Sequence, residues 1–223
     1  MATTTTSGGT VTSFSNTPQA TGDSFYQSED LAGVVYLSVL ANDLGGNAKT
    51  LWSLDDSTST STATKIYAPA DLLIQDTARA ESTSNDTSLN GAKIWITPDG
   101  KVGYDAASLS DAFKAQMQAL AVGETLTDSF TYSIRLGNGT LSWATATIQY
   151  GGVNDIVSIT SAPQTGVVTE DADSSPSAID SQTASGAITF SDIDLSDTHT
   201  ASFVADPDNA TALGIFSLGS VNE

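Results

Sequence analysis

Through much of the first 150 residues apolar and polar positions alternate with a period of two, which is the pattern of strands buried on one face. Val34 to Leu40 is an apolar run bounded by Gly33 and by Asn42-Asp43, and it predicts a core strand. Lys93 to Thr97 sets Ile94 and Ile96 against Lys93, Trp95 and Thr97, and Pro98-Asp99-Gly100 then predicts a turn into a strand over Lys101 to Tyr104. Phe130, Tyr132, Ile134 and Leu136 alternate with Ser129, Thr131, Ser133 and Arg135; Asn138-Gly139 is a hairpin signal, and Leu141 to Tyr150 reads as the return strand. One segment changes period. Leu109, Phe113, Met117 and Leu120 form a helical stripe that Ser108 or Ser110 can cap. Gly151-Gly152-Val153-Asn154-Asp155 reads as a domain junction. Beyond it Ile156 to Thr160, Gly166 to Thr169, Ala187 to Phe190 and Thr198 to Val204 are strand-like, within a stretch shorter than the roughly 100 residues of a full sandwich.

Composition narrows the chemistry. Seven Lys and Arg stand against 26 Asp and Glu, for a net charge of −19. Such a chain repels nucleic acid, whose binding needs a basic surface, and anionic lipid as well. The longest apolar runs are a few residues, so no membrane insertion is expected. The absence of cysteine excludes disulfides, thiolate zinc sites and thiol nucleophiles, and a single histidine, His199, argues against a Ser-His-Asp triad. No pair of carboxylates is singled out for glycoside hydrolysis, and no enzyme activity is expected. Residues 154–223 carry acids and no Lys or Arg at all, an imbalance that divalent cations relieve most simply. Unrelieved, the same imbalance fits a disordered segment.

The opening MATTTTSGGTVTS has neither a basic n-region nor an apolar h-region and is not a Sec signal peptide; residues 1–16 read as a flexible tail. Ser57 to Thr64, STSTSTAT, reads as a surface loop able to join an edge strand.

Several motifs occur in a recognisable order. Ala121 to Ile148, AVGETLTDSFTYSIRLGNGTLSWATATI, followed by GGVNDI, resembles the end of a bacterial cadherin-like (VCBS-type) adhesin repeat. Thr169-Glu170-Asp171 and the run from Ile188 to His199, ITFSDIDLSDTH, resemble the first half of the next repeat. Residues 17–52, with Asp23, Ser28-Glu29-Asp30 and Val39-Leu40-Ala41-Asn42-Asp43, resemble the start of a related cadherin-like or Ig-like domain. Size and layout are similar to those of the small secreted rhizobial Rap adhesins. The chain departs from the pattern at Arg135-Leu136, where an Asp is usual, and at Leu44-Gly45-Gly46-Asn47, where the turn is usually acid-rich.

The resemblance implies an all-β protein of two Greek-key β-sandwich domains in tandem, cadherin-like or Ig-like, over 17–153 and 154–223. The second is incomplete and the first carries one short helix. It implies secretion by a type I route, Ca2+ as cofactor, and an acidic exopolysaccharide of the cell surface or biofilm matrix as partner, so that the chain acts as an adhesin or lectin. The alternative is a calcium-stiffened spacer without a sugar site. Calcium takes six to eight oxygen ligands. Asn154, Asp155, Glu170, Asp171, Asp192 and Asp194 supply them in the family reading, meeting near the junction. Asp23, Glu29, Asn42, Asp43 and Asp105 form the weaker set of the first domain. Asp192 and Asp194 are two apart, which in a strand points them the same way. Among Trp52, Trp95 and Trp143, Trp95 is the first candidate for stacking on a sugar, because Ile94 and Ile96 leave it on the polar face. Exposed edges in a half-domain also predict calcium-dependent self-association.

Overall fold

The computed structural model describes residues 19–57, 71–168, 182–205, 207 and 214–222. The chain divides into two compact units, Met1–Val153 and Asn154–Glu223. It is an all-β protein, with a single short α-helix among the described residues.

Unit 1 is sandwich-like. Strands β1 (Asp23–Ser28), β3 (Thr50–Asp55), β6 (Thr125–Arg135) and β7 (Leu141–Gly151) form one sheet in the order β1-β7-β6-β3. Strands β2 (Val34–Leu37), β4 (Lys93–Ile96) and β5 (Val102–Asp105) form a second in the order β2-β5-β4. The β1–β7 pairing is parallel and the other pairings are antiparallel. Leu51, Phe130, Tyr132, Ile134, Ala146 and Ile148 from the first sheet share one core with Leu37, Ile94, Ile96, Val102 and Tyr104 from the second. The two predicted turns form as read. Gly100 and Gly139 take φ of 80° and 84°, where a side chain would be strained. The Thr97 hydroxyl accepts the Lys101 N–H across the first turn, and Asn138 Oδ1 accepts the Thr140 N–H across the second.

Helix α1 (Asp111–Gln118) starts where the sequence places its cap: Ser110 Oγ accepts the Phe113 N–H. Its stripe of Leu109, Phe113, Met117 and Leu120 is buried. The core also holds a polar chain. Tyr150 donates to the Tyr104 hydroxyl at 3.0 Å, and Tyr104 donates to Asp128 Oδ2 at 2.6 Å. Asp128 Oδ1 accepts both the backbone N–H and the side-chain amide of Asn90 at 2.9 Å. A buried carboxylate satisfied in this way fixes the loop before β4 to the start of β6.

The core strand expected over Val34 to Leu40 is shorter than its apolar run. β2 stops at Leu37, and Ser38 to Asp43 fold into turns, with Ala41 N–H on the Ser38 carbonyl. β1 and β3 lie where no alternation was read. β3 carries a bulge between Leu51 and Ser53, which breaks the period at Trp52.

In unit 2 the described strands are β8 (Ser158–Ile159) and β9 (Phe190–Ser191), paired antiparallel. Strands were expected over Gly166 to Thr169 and Thr198 to Val204; the described residues of both stretches are irregular and mostly exposed. Ile156, Val167, Ile188 and Val204 are among its exposed aliphatic side chains. Among the described residues of unit 2 the one buried is polar: Asp194. Without an apolar side chain to bury on one face, period-two patterning has nothing to hold it as a sheet. The expected N-terminal tail and most of the Ser57–Thr64 loop lie outside the described residues.

Candidate cation-binding centres

In unit 1 the parallel strand β1 begins at Asp23, and the turns after β2 bring Asn42 and Asp43 to the same place. Tyr132, on the inner face of β6, marks the meeting point. Its hydroxyl lies 2.8 Å from Asp23 Oδ2, 2.9 Å from the Thr21 carbonyl, 3.2 Å from the Val39 carbonyl and 3.3 Å from Asp43 Oδ1. A phenol has one proton to give, so four acceptor oxygens compete for it. The Thr21 N–H adds a second donor to Asp43 Oδ1 at 2.7 Å. The other carboxylate oxygen, Asp43 Oδ2, is buried and has no hydrogen-bond partner. Asp43 as a whole is 7% exposed. Asn42 donates its amide to the Gly22 carbonyl at 3.0 Å, and the Lys49 ammonium reaches the Asp43 carbonyl.

The electrostatics follow from this crowding. Burial pushes the Asp23 carboxyl up to about 6, with the neighbouring Asp43 charge adding to it. Burial raises Asp43 as well, against the Thr21 N–H and Lys49. The Tyr132 phenol is held far above its usual range by burial and by the two carboxylates. Each group therefore retains its proton more tightly than in water, which is the mark of a site short of positive charge. Oxygen-only donors at a charge-deficient, partly buried point fit a hard cation such as Ca2+.

Asp23, Asn42 and Asp43 are thus brought together, and two other members of that expected set are not. Glu29 lies past the far end of β1, where its Oε1 accepts the Val153 N–H at 2.6 Å and its carbonyl accepts the Gln118 amide. Asp105 ends β5 in the other sheet and caps the short 3-10 turn that follows by accepting the Ala107 N–H.

In unit 2 Asp194 Oδ2 accepts the Asp155 N–H at 2.8 Å. Asp194 is 2% exposed, and its Oδ1 is buried without a hydrogen-bond partner. Asp192 does not point with it, as strand spacing would require. β9 ends at Ser191, and the chain curls so that Asp192 Oδ1 accepts the Asp194 N–H at 3.1 Å. Asp192 Oδ2 meets His199 Nε2 at 2.8 Å, and that hydrogen bond, with the Asp194 N–H, holds the Asp192 carboxyl below its usual range. The Asn154 side-chain amide is turned onto the Asp155 carbonyl. Glu170 and Asp171 lie outside the described residues.

Two features escaped the sequence. Tyr132, the organising hydroxyl of unit 1, is one aromatic among several alternating in β6, and nothing local marks it. Asp55, Asp76 and Asp86 come from separate loops and strands, and burial is the first cause that raises each; Asp56 and Asp71 add to the rise of Asp55, Asp55 to that of Asp86, and Asp86 to that of Asp76, which reaches about 6. Trp95 is a correction. It does lie on the face away from Ile94 and Ile96, but its ring is 5% exposed, laid over Gly103 and met edge-on by Tyr36 at 6.5 Å between centroids. A ring so covered has no face to offer a sugar. Among the described residues no helix is long and apolar enough to cross a membrane. No family model and no curated protein matches the sequence.

Proposed function

We propose that this chain is a calcium-binding extracellular adhesion module that holds an acidic polysaccharide of the bacterial cell surface or biofilm matrix. The observation that carries the reading is the pair of buried carboxylate oxygens without hydrogen bonds, Asp43 Oδ2 and Asp194 Oδ1, in a chain with 26 acids and seven bases. A buried carboxylate oxygen left without a donor costs about 1–3 kcal/mol or more. A bound divalent cation removes that cost in each unit. Bound calcium supplies charge neutralisation and exchangeable oxygen coordination; Asp23, Asp43 and the Thr21 and Val39 carbonyls are the groups that would hold it in unit 1, and Asp194 and Asp155 in unit 2. An anionic protein approaching an anionic polymer is repelled unless cations intervene, so calcium serves fold and ligand together.

Calorimetric titration with calcium, followed by sedimentation of the protein with a polyuronate in calcium and in EDTA, tests this. Stoichiometric calcium uptake with chelator-sensitive cosedimentation is expected. Uptake without cosedimentation would leave the spacer reading in its place, and no calcium uptake at all would end both.

A further inference from the structure

The outward face of β7 carries Trp143, Thr145, Thr147 and Gln149, because Ala144, Ala146, Ile148 and Tyr150 face the core. Register places Ser24 of β1 beside Thr147 and Tyr26 beside Gln149 on one side, and Thr127 and Ser129 of β6 on the other. No outward position of β1, β7 or this half of β6 is charged. In a chain of net charge −19 that is an uncharged lane. Further along β6 the outward Thr131 and Ser133 are buried instead, and Ser133 donates to the Leu72 carbonyl, so the segment around Leu72 walls the lane on that side.

The lane ends in aromatic rings. Tyr26 is 73% exposed at one end and Trp143 is 38% exposed at the other. Six residues of strand separate Gln149, the partner of Tyr26, from Trp143, which is about 20 Å at strand rise. Beside Trp143 stands a cation. Arg135 pairs with Leu141, so it is a diagonal neighbour of Trp143 across the β6–β7 ladder, about 7–8 Å away. Its guanidinium rests on the Trp52 ring at 4.8 Å from the centroid, and it is exposed. Among the described residues no carboxylate comes within ion-pair distance of it.

We infer that this lane is the glycan-binding face, and that it takes an extended chain of sugars with a carboxylate seated on Arg135 and pyranose rings on Trp143 and Tyr26. The inference rests on the polysaccharide reading above and names the site for it. Hydroxyl and amide side chains each donate and accept, as sugar hydroxyls do. Aromatic rings cover the apolar C–H faces of sugars with little loss of side-chain freedom. A protein partner would call for an apolar centre, and between Tyr26 and Trp143 the lane has no aliphatic side chain among its outward positions; Leu141, beyond Trp143 and opposite Arg135, is half-buried. Charge decides between neutral and acidic chains. A planar guanidinium already propped on an aromatic ring, with no carboxylate at ion-pair distance among the described residues, is arranged for bidentate pairing with a carboxylate. The separation of the rings requires an oligomer rather than a monosaccharide.

The test uses the full chain with calcium present, a galacturonate oligomer, and the same oligomer as its neutral methyl ester, read by titration of tryptophan fluorescence. Trp143→Ala is expected to weaken binding of the acid at least tenfold. Arg135→Ala should weaken it similarly while leaving the methyl ester within twofold, and Thr147→Glu, which puts a charge in the middle of the lane without touching the core, should abolish binding. Wild-type binding with all three variants unchanged overturns the lane and leaves the polysaccharide reading standing. Failure of the wild-type protein to bind the acid in calcium overturns both.

Discussion

The indole ring of Trp95 occupies the space that a side chain at Gly103 would need. A Cβ built on Gly103 falls 2.2 Å from Trp95 Cε2 and 2.3 Å from Cζ2. The two residues are cross-strand partners in the β4–β5 ladder, and the absent side chain on one strand is the seat for the largest side chain on the other.

Gly103→Ala is therefore expected to destabilise unit 1 by about 1–3 kcal/mol, the usual cost of overpacking a filled site. Trp95→Ala should cost about 3–5 kcal/mol through the cavity it leaves. Denaturant melts followed by circular dichroism check both. A Gly103→Ala protein as stable as wild type would mean that the ring slides freely and is not packed.

The second expectation concerns the two centres. Asp43→Asn and Asp194→Asn should each weaken calcium uptake by at least tenfold, about 1.4 kcal/mol per site. Neither should lower the melting temperature in EDTA by much, because each removes a buried charge that lacks a full set of partners. The double variant Asp55→Ala with Asp56→Ala serves as the comparison, since it removes two acids, one more than either single variant, outside both centres. Equal losses in all three would mean that calcium gathers around the chain as diffuse counter-ions.

What was readable beforehand, and what was not, follows physical lines. The β4–β5 turn, the β6–β7 hairpin and helix α1 announce themselves through local chemistry: a left-handed glycine, an Asn side chain bonding its own turn, a serine cap before a 3.6-residue stripe. β3 was hidden because a bulge at Trp52 breaks its period. The side of the sheet on which Trp95 lies was legible from Ile94 and Ile96, but its burial depends on Gly103 and Tyr36, residues on other strands. Asp23 and Asp43 meet at the Tyr132 hydroxyl, whereas Glu29 and Asp105 lie elsewhere, Glu29 Oε1 on the Val153 N–H and Asp105 Oδ1 on the Ala107 N–H. Acid content could not say which acids converge; register and turns decided that.

A third expectation follows from protonation. Asp23 titrates at about 6 in the folded protein against 3.8 for an ordinary carboxyl, so between those values the folded state binds more protons than the unfolded one. Stability in EDTA is then greatest below about pH 4 as far as this group is concerned, and it is lost as pH rises through 6. Asp76 acts in the same direction over the same window. On the proposed reading calcium would take the place of the proton, so the loss should vanish when calcium is added at pH 7. All three tryptophans lie in unit 1, and their fluorescence reports its unfolding alone. Asp23→Asn should flatten the slope in EDTA and abolish part of the calcium effect. A wild-type protein that becomes more stable in EDTA between pH 4 and 7 would show that these carboxyls are not held up by burial.

The fourth expectation is about unit 2. Its described ladder is two residues long on each strand, Ser158–Ile159 against Phe190–Ser191. Such a pair is marginal by itself, and no apolar side chain among the described residues of the unit is buried to support it. The unit carries 11 acids without a Lys or Arg, which adds self-repulsion. Its ordered point is instead Asp194, tied to the Asp155 N–H and the Asp192 carboxylate. Folding here should then depend on the cation, because a ligand that binds only the ordered state stabilises it by mass action. Hydrogen exchange in EDTA is expected to show amides from 156 to 204 exchanging within seconds. In calcium, protection should appear first around Asp155 and Asp192–Asp197 and spread to the two short strands. The exposed aliphatic side chains and unpaired strand edges should also bring some molecules together in calcium, visible in light scattering. Strong protection across 156–204 in EDTA, in a protein that stays monomeric, would mean that unit 2 has a core of its own and no need of the ion. Loss of the calcium effect in Asp194→Asn, with unit 1 melting as before, would place the dependence on this carboxylate and not on ionic strength.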